Sequence, residues 1–210
     1  MINYELHIIK LIRTCSNCYI LVDAASREAA IIDPGCNAEQ ILEELEQANA
    51  KARYIINTHG HWDHIGANLE VAEKTGASIL IHRLDQPMLS DANCSLAFLF
   101  RGDGKGGEAS RLLEDGDSIE LGGLNIRVIH TPGHTPGGIC LICEDLLFTG
   151  DTLFNLSVGR TDLYGGDHET LMSSLTDKLT GLDDELKVLP GHGSASELGY
   201  EKTHNPYFPK

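Results

Sequence analysis

Several things are missing from this 210-residue sequence. It has no run of about 18 or more apolar residues, so a membrane-spanning helix is not expected. The opening "MINYELHIIKLIRTCSNC" lacks a basic start, a continuous apolar segment and a small-residue cleavage site. It reads as mature, non-exported sequence, and a cytoplasmic location is expected. Positive charge is scarce: 16 Lys and Arg stand against 31 Asp and Glu, a formal net charge of −15. That balance excludes a non-specific nucleic-acid surface and docking on an anionic membrane. Repeats, low-complexity tracts and linker-like stretches are missing too. The length suits one layered domain over residues 1–210.

Six cysteines are present, and four form two Cys-x-x-Cys pairs, 15/18 and 140/143. Such pairs can be zinc half-sites or redox motifs. Here each pair falls in or beside a strand-like run, "CYILVD" or "GGICLIC". Strand periodicity sends residues i and i+3 to opposite faces. The thiols are therefore expected to be ordinary core residues, as suits a reducing compartment.

Short apolar runs bounded by polar residues predict strands at 4–9, 18–23, 28–33, 52–57, 77–82, 118–121, 124–130, 137–143, 145–150 and 186–190. After Pro34-Gly35, Asn37 and Gln40 have the spacing of a capping box. Ile41, Leu42, Leu45 and Ala48 then mark an amphipathic helix. Further helices are predicted over 65–76, ended by Gly76, over 168–182, and near the C-terminus within 196–208. Residues 83–116 carry no readable periodicity, and the glycine-rich 101–110 reads as a surface loop. Strands interspersed with helices predict a layered α/β fold: two packed sheets with helices outside.

The chemistry lies at strand ends. The strand at 52–57 releases into "THGHWDH", carrying His59, His61, Asp63 and His64. The strand at 124–130 releases into "TPGHTPGG" with His134, and that at 145–150 into Asp151. The strand at 186–190 releases into Gly191-His192-Gly193. Loops held by a rigid sheet are where sites are built. His59 and His61 cannot share a helix face, but in a loop bent at Gly60 they can converge. Five histidines and two aspartates exceed the four ligands of one tetrahedral zinc. They suit two divalent cations, zinc in the first place, with iron or manganese as alternatives. One cation would take His59, His61 and His134. The other would take Asp63, His64 and His192. Asp151 would bridge, and a shared water would complete both shells. His130 is a candidate outer partner. His7, His82, His168 and His204 lack such company and read as structural or surface residues.

The set "THGHWDH", "TPGHTPGG", "FTGDTLF" and "LPGHG", with "IIDPG" upstream, resembles the metallo-β-lactamase superfamily. Within it, the sequence is most similar to the glyoxalase II-like (hydroxyacylglutathione hydrolase-like) branch. The motifs span residues 31 to 193. The resemblance implies a four-layer αββα sandwich with the metals at one edge of the sheets. It also implies the seven ligands named above. β-Lactamases of the superfamily usually carry cysteine where Asp151 stands, and its diiron flavoproteins tend to carry glutamate where His61 stands. "SVGRTDL" resembles the segment after the bridging aspartate in glyoxalase II and in persulfide dioxygenases. By that likeness Arg160 would contact the thiol part of the substrate, with a structural salt bridge to Asp162 or a neighbour as the alternative. The chain ends 18 residues after His192, as in the shorter bacterial type without the C-terminal helical domain.

The implied activity is hydrolysis of a small-molecule thioester, such as a 2-hydroxyacyl-glutathione. A metal-bridging hydroxide would attack, with Asp63 and Asp151 as catalytic carboxylates. The alternatives are a persulfide dioxygenase with one iron on His59, His134 and Asp151, or a lactone or other ester hydrolase using the same two-metal site.

Overall fold

Period-two alternation builds the layers. Every residue of β2 (Ser16–Asp23) is buried. Cys18, Ile20 and Val22 enter one apolar cluster, and Tyr19 and Leu21 another. A strand covered on both faces reads as an unbroken apolar run, because neither face can be polar. β2 pairs antiparallel with β1 (Tyr4–Leu11) and β3 (Glu28–Ile32). The sheet continues in parallel through β4 (Lys51–Ile56), β5 (Ser78–His82) and β6 (Arg111–Leu113). On its outer side Ile20, Ile31, Ile55 and Ile79 meet Ile41 and Leu45 of α1 (Ala38–Gln47). The one-turn α2 (Trp62–Ile65) and α3 (Asn68–Thr75) follow, and Val71 of α3 joins the same cluster.

The inner side of this sheet, with Tyr19, Leu21, Ile32, Ile56 and Leu80, packs on Ile119, Ile126, Val128, Leu141 and Phe148 of a second sheet. That sheet comprises β7 (Ser118–Leu121), β8 (Leu124–His130), β9 (Ile139–Cys143) and β10 (Leu146–Gly150). A small ribbon, β11 (Leu153–Phe154) with β12 (Ser157–Val158), stands apart. The second sheet then closes with β13 (Lys187–Pro190), parallel to β10, and β14 (Ser196–Glu197). Its outer side is covered after α4 (His168–Ser174), by Leu175 and Leu179 of the π-helical turn that follows, and by Leu198 of α5 (Leu198–His204). The computed structural model, which describes residues 3–208, is thus the expected αββα sandwich. No helix among the described residues is long and apolar enough to cross a membrane.

Several local expectations change. The capping box does not form. Asn37 has a left-handed backbone (φ 55°), and its amide donates to Gln40 Oε1 at 3.0 Å instead of accepting from a backbone N–H. A capping side chain reaches the first-turn amides from extended backbone, which Asn37 lacks. The helix expected over 65–76 is α3 alone, because Gly66 and Ala67 turn the chain after α2. Its end at Gly76 (φ 74°) is as read. The 168–182 helix is α-helical only through Ser174 and then widens into the π turn Leu175–Leu179. The unreadable 83–116 contains two 3₁₀ segments, Arg83–Leu89 and Ala97–Phe100, and the short β6. All six cysteines are free. Cys140 and Cys143 enter different clusters, as the strand alternation requires.

Candidate metal centre

Each sequence-predicted ligand leaves the C-terminal end of a strand. β4 ends at Ile56 and is followed by His59, then by His61 just before α2. The single turn of α2 carries Asp63 and His64. β8, β10 and β13 of the other sheet lead to His134, Asp151 and His192. β10 and β13 are parallel neighbours, and Gly191 N donates to Gly150 O at 2.8 Å, so Asp151 and His192 emerge side by side. Gly191 leaves the space they need: a Cβ there would strike Asp151 Oδ1 and His64 Cε1. All seven residues meet in one cluster. Ring centroids lie 4.9 Å apart for His59–His61, 4.2 Å for His59–His64, 4.7 Å for His61–His134 and 5.2 Å for His64–His192.

Outer hydrogen bonds decide which nitrogens face inward. His64 Nδ1 donates to Asp33 Oδ2 (3.0 Å), His134 Nδ1 to the Arg160 carbonyl (2.7 Å), and His192 Nδ1 to the Cys15 carbonyl (2.8 Å). These acceptors fix the proton on Nδ1 and leave a lone pair on Nε2. The bare Nε2 atoms of His64 and His192 then stand 3.2 Å apart, and His192 Nε2 lies 3.1 Å from Asp63 Oδ2. Acceptors at such separations repel unless something positive lies between them. Bonds of about 2.1 Å at a tetrahedral centre place neighbouring ligands roughly 3.4 Å apart, close to these spacings. His61 Nδ1, 2.9 Å from the bare His134 Nε2, can donate to it, which leaves the His61 lone pair on Nε2. His59 Nε2, His61 Nε2 and Asp151 Oδ1 are buried without a hydrogen-bond partner, an arrangement rare in folded proteins unless an ion or ligand is served.

Two groups of three, His59/His61/His134 and Asp63/His64/His192, each have donor atoms within 4.8 Å of one another. Asp151 lies between them, 3.5 Å from His134 Nε2 on one side and 3.5 to 3.6 Å from His64 and His192 on the other. The donor set therefore fits two cations.

The electrostatics agree. Burial, and then the neighbouring imidazoles, hold His59 well below its ordinary pKa and His61 down at about 3. Both are neutral and able to ligate. Burial also opposes charge on His64, yet Asp63, Asp151 and Asp33 lift it to about 10. His192 is raised despite its burial, through Asp63 and Asp151. Carboxylates that pull protons onto buried imidazoles this strongly will accept a divalent cation in place of those protons.

Two positioning carboxylates escaped the sequence reading. Asp33, fully buried after β3, accepts from Thr58 N (2.7 Å), Thr58 Oγ1 (2.6 Å) and His64 Nδ1. Its "IIDPG" context, an acid released from a strand end, was the available signal. Asp85 accepts from Gly60 N (3.0 Å), Thr135 Oγ1 (2.7 Å) and Gly137 N (2.6 Å), tying the loop of His59 and His61 to the loop of His134. It sits in a 3₁₀ segment without periodicity, where sequence offered no signal. His130 stays outside the cluster. It stacks on His82 (centroids 4.0 Å) and its Nε2 contacts the Pro136 carbonyl at 2.9 Å, supporting the same turn.

A cavity of about 430 Å³ opens over the cluster. Its walls include Leu96, Leu99, Phe100, Phe154, Val158 and Leu163, and Arg160 stands at its rim. The exposed guanidinium is held in a fork by Asp162, with Nε at 2.7 Å and Nη2 at 2.8 Å.

The chain is similar to known proteins in sequence and in fold. A family model described as the metallo-beta-lactamase superfamily matches residues 14–192. The chain is 35% identical over 205 residues to a protein of Haemophilus influenzae named hydroxyacylglutathione hydrolase GloC, covering 91% of this chain and 92% of that protein. The structure is similar to the crystal structure of the BLEG-1 B3 metallo-beta-lactamase (TM-score 0.88, 33% identity, 98% of this chain and 100% of that one). It is also similar to TTHA1623 in a di-iron-bound form (TM-score 0.85, 32% identity, 96% and 100%).

Proposed function

The chain belongs to the metallo-beta-lactamase superfamily, and from that premise we propose that it is a metal-dependent hydrolase of a small-molecule thioester. The observation that carries this is the position of Asp151 between two groups of three donors, at 3.5 Å from one and 3.5 to 3.6 Å from the other. In this reading His59, His61 and His134 hold one divalent cation, Asp63, His64 and His192 a second, and Asp151 both; zinc and iron each suit the set. When bound, the pair supplies a Lewis acid for a carbonyl oxygen and a water that ionises near neutral pH.

The chain's own residues do the rest. Asp63 faces the same cavity and stays ionised, held despite its burial well below the usual carboxylate range by His64 and His192, so it orients the attacking water by accepting its hydrogen bond. The C–S bond then breaks and the thiol leaves as thiolate, a good leaving group near neutral pH. Leu96, Phe154, Val158 and Leu163 seat the acyl part and keep bulk water away. Arg160 meets the thiol part in competition with Asp162. Free cysteines throughout suit work in a reducing cytoplasm. The fold does not choose among acyl substrates, since one relative is named for a glutathione thioester and one similar structure for β-lactams.

The test is metal content of protein purified without added metal, followed by turnover of S-lactoylglutathione, a β-lactam and an acyl-homoserine lactone. Two metals per chain with preferred thioester cleavage is the expected result. One iron with oxygen uptake would establish the dioxygenase instead, and preferred lactone or lactam cleavage would move the substrate class.

A further inference from the structure

A second cavity, of about 580 Å³, adjoins the first. Leu99 and Phe100 line both. Trp62 lines the second and Asp63 the first. Consecutive helical residues point about 100° apart, so α2 is the partition between the two spaces. Gly102 packs flat against the indole, where a Cβ would strike the ring. Trp62 Nε1 donates no hydrogen bond to the described residues, which leaves one donor on the cavity wall.

Two positive charges without a counter-ion line this cavity. Of the eight arginines, Arg27, Arg53, Arg83, Arg111 and Arg160 each pair with a carboxylate, while Arg127, in a different cavity, has no ion-pair partner among the described residues. Arg13 and Arg101, both lining the second cavity, have no ion-pair partner among the described residues, although the net charge is −15. Glu39 and Glu70 line it as well, and neither pairs with these arginines. Both arginines adjoin the catalytic parts: Arg101 follows Phe100, and Arg13 lies two residues before Cys15, whose carbonyl holds His192.

We infer that the second cavity is a subsite for the anionic end of an extended thiol carrier, gripped by Arg13 and Arg101. The inference rests on the thioesterase reading. The acyl group sits over the donor cluster, the carrier crosses Leu99 and Phe100 beside Trp62, and its terminal carboxylate or phosphate meets the two guanidiniums. Arginine suits either group, because its planar fork bonds both in pairs.

Trp62 is the chain's single tryptophan and lines this cavity, so its fluorescence responds to binding there. Titrating the full chain with glutathione or with coenzyme A, both free thiols, gives a Kd from quenching. At least one is expected to bind saturably, and the R13A/R101A variant is expected to weaken it tenfold or more. Tighter binding of glutathione assigns a carboxylate end, and of coenzyme A a phosphate end. The same variant should lower kcat/KM for the thioester of that carrier, relative to a small N-acetylcysteamine thioester, by a similar factor. No saturable quenching by either thiol, or an unshifted Kd in the double variant, overturns the inference. Failure of the wild type to cleave any thioester, with the Kd shift intact, would instead sink the thioesterase reading and leave an anion-binding cavity.

Discussion

Replacing Asp33 by asparagine should disarm one half of the donor cluster without unfolding the chain. Asp33 has a left-handed backbone (φ 54°), a conformation asparagine also tolerates, so the turn survives. The new amide has one acceptor oxygen where the carboxylate had two. Thr58 N cannot turn away, so the oxygen must take that donor at the Oδ1 position. The NH2 then faces Thr58 Oγ1 and His64 Nδ1. The hydroxyl can rotate to accept. His64 can accept only by moving its proton from Nδ1 to Nε2, which removes the lone pair aimed at Asp63, Asp151 and His192. Loss of such an outer partner typically weakens a metal by 10- to 100-fold, about 1.4 to 3 kcal/mol. Competition with a chelator, read by elemental analysis, should show one metal weakened by that factor and the other retained. D33A should behave differently. It strands three buried donors, at about 1 kcal/mol or more each, and should lower stability to urea by roughly 3 kcal/mol. A D33N protein that keeps both metals at parental affinity would refute the tautomer reasoning.

Four further outcomes are expected. D151A should lose at least one metal and nearly all turnover, since no other carboxylate lies between the two groups; unchanged metal content would remove the bridging role. D85N should cost about 2 to 4 kcal/mol in urea, because one amide oxygen cannot serve Gly60 N, Thr135 Oγ1 and Gly137 N together; an unshifted midpoint would show that the two loops do not depend on it. Burial and then His130 depress His82 to about 4, against 6.5 for an ordinary histidine. The unfolded chain therefore binds more protons between these values, and stability falls as pH drops through them, by up to about 3 kcal/mol. H82F keeps the ring stack and should flatten that slope; a parental slope would place the titration elsewhere. R160A should raise KM for a charged thioester, while D162A, which frees the guanidinium, should lower it; if neither moves KM, the pair is structural.

How much of this could be read in advance divides along physical lines. The two-sheet architecture was visible because strands such as β2 are buried on both faces and have no polar alternation to hide them. The cluster was visible because His, Asp and Gly at strand ends are costly there without a purpose. The residues that hold the cluster in shape were not. Asp33 shows in sequence only as an acid released at a strand end, without the histidines that mark the cluster, and two of the outer acceptors are backbone carbonyls, at Cys15 and Arg160, which have no side-chain signature at all. The 3₁₀ segment around Asp85 follows neither the helical nor the strand period, so its composition carried no pattern to detect.

The short bridge between Ser16 and His192, reinforced by Asn17 N on Gly191 O at 2.7 Å and by Tyr19 Oη on Pro190 O at 2.7 Å, has a kinetic consequence. It fastens β2 of one sheet to the closing motif of the other, across most of the length of the polypeptide. Contacts of such sequence separation are slow to find. Each trio of donors draws on both sheets, so an ion arriving before this rivet is set meets only half a cage. Loading should therefore be a late event in maturation, and an emptied protein should come apart first along this seam.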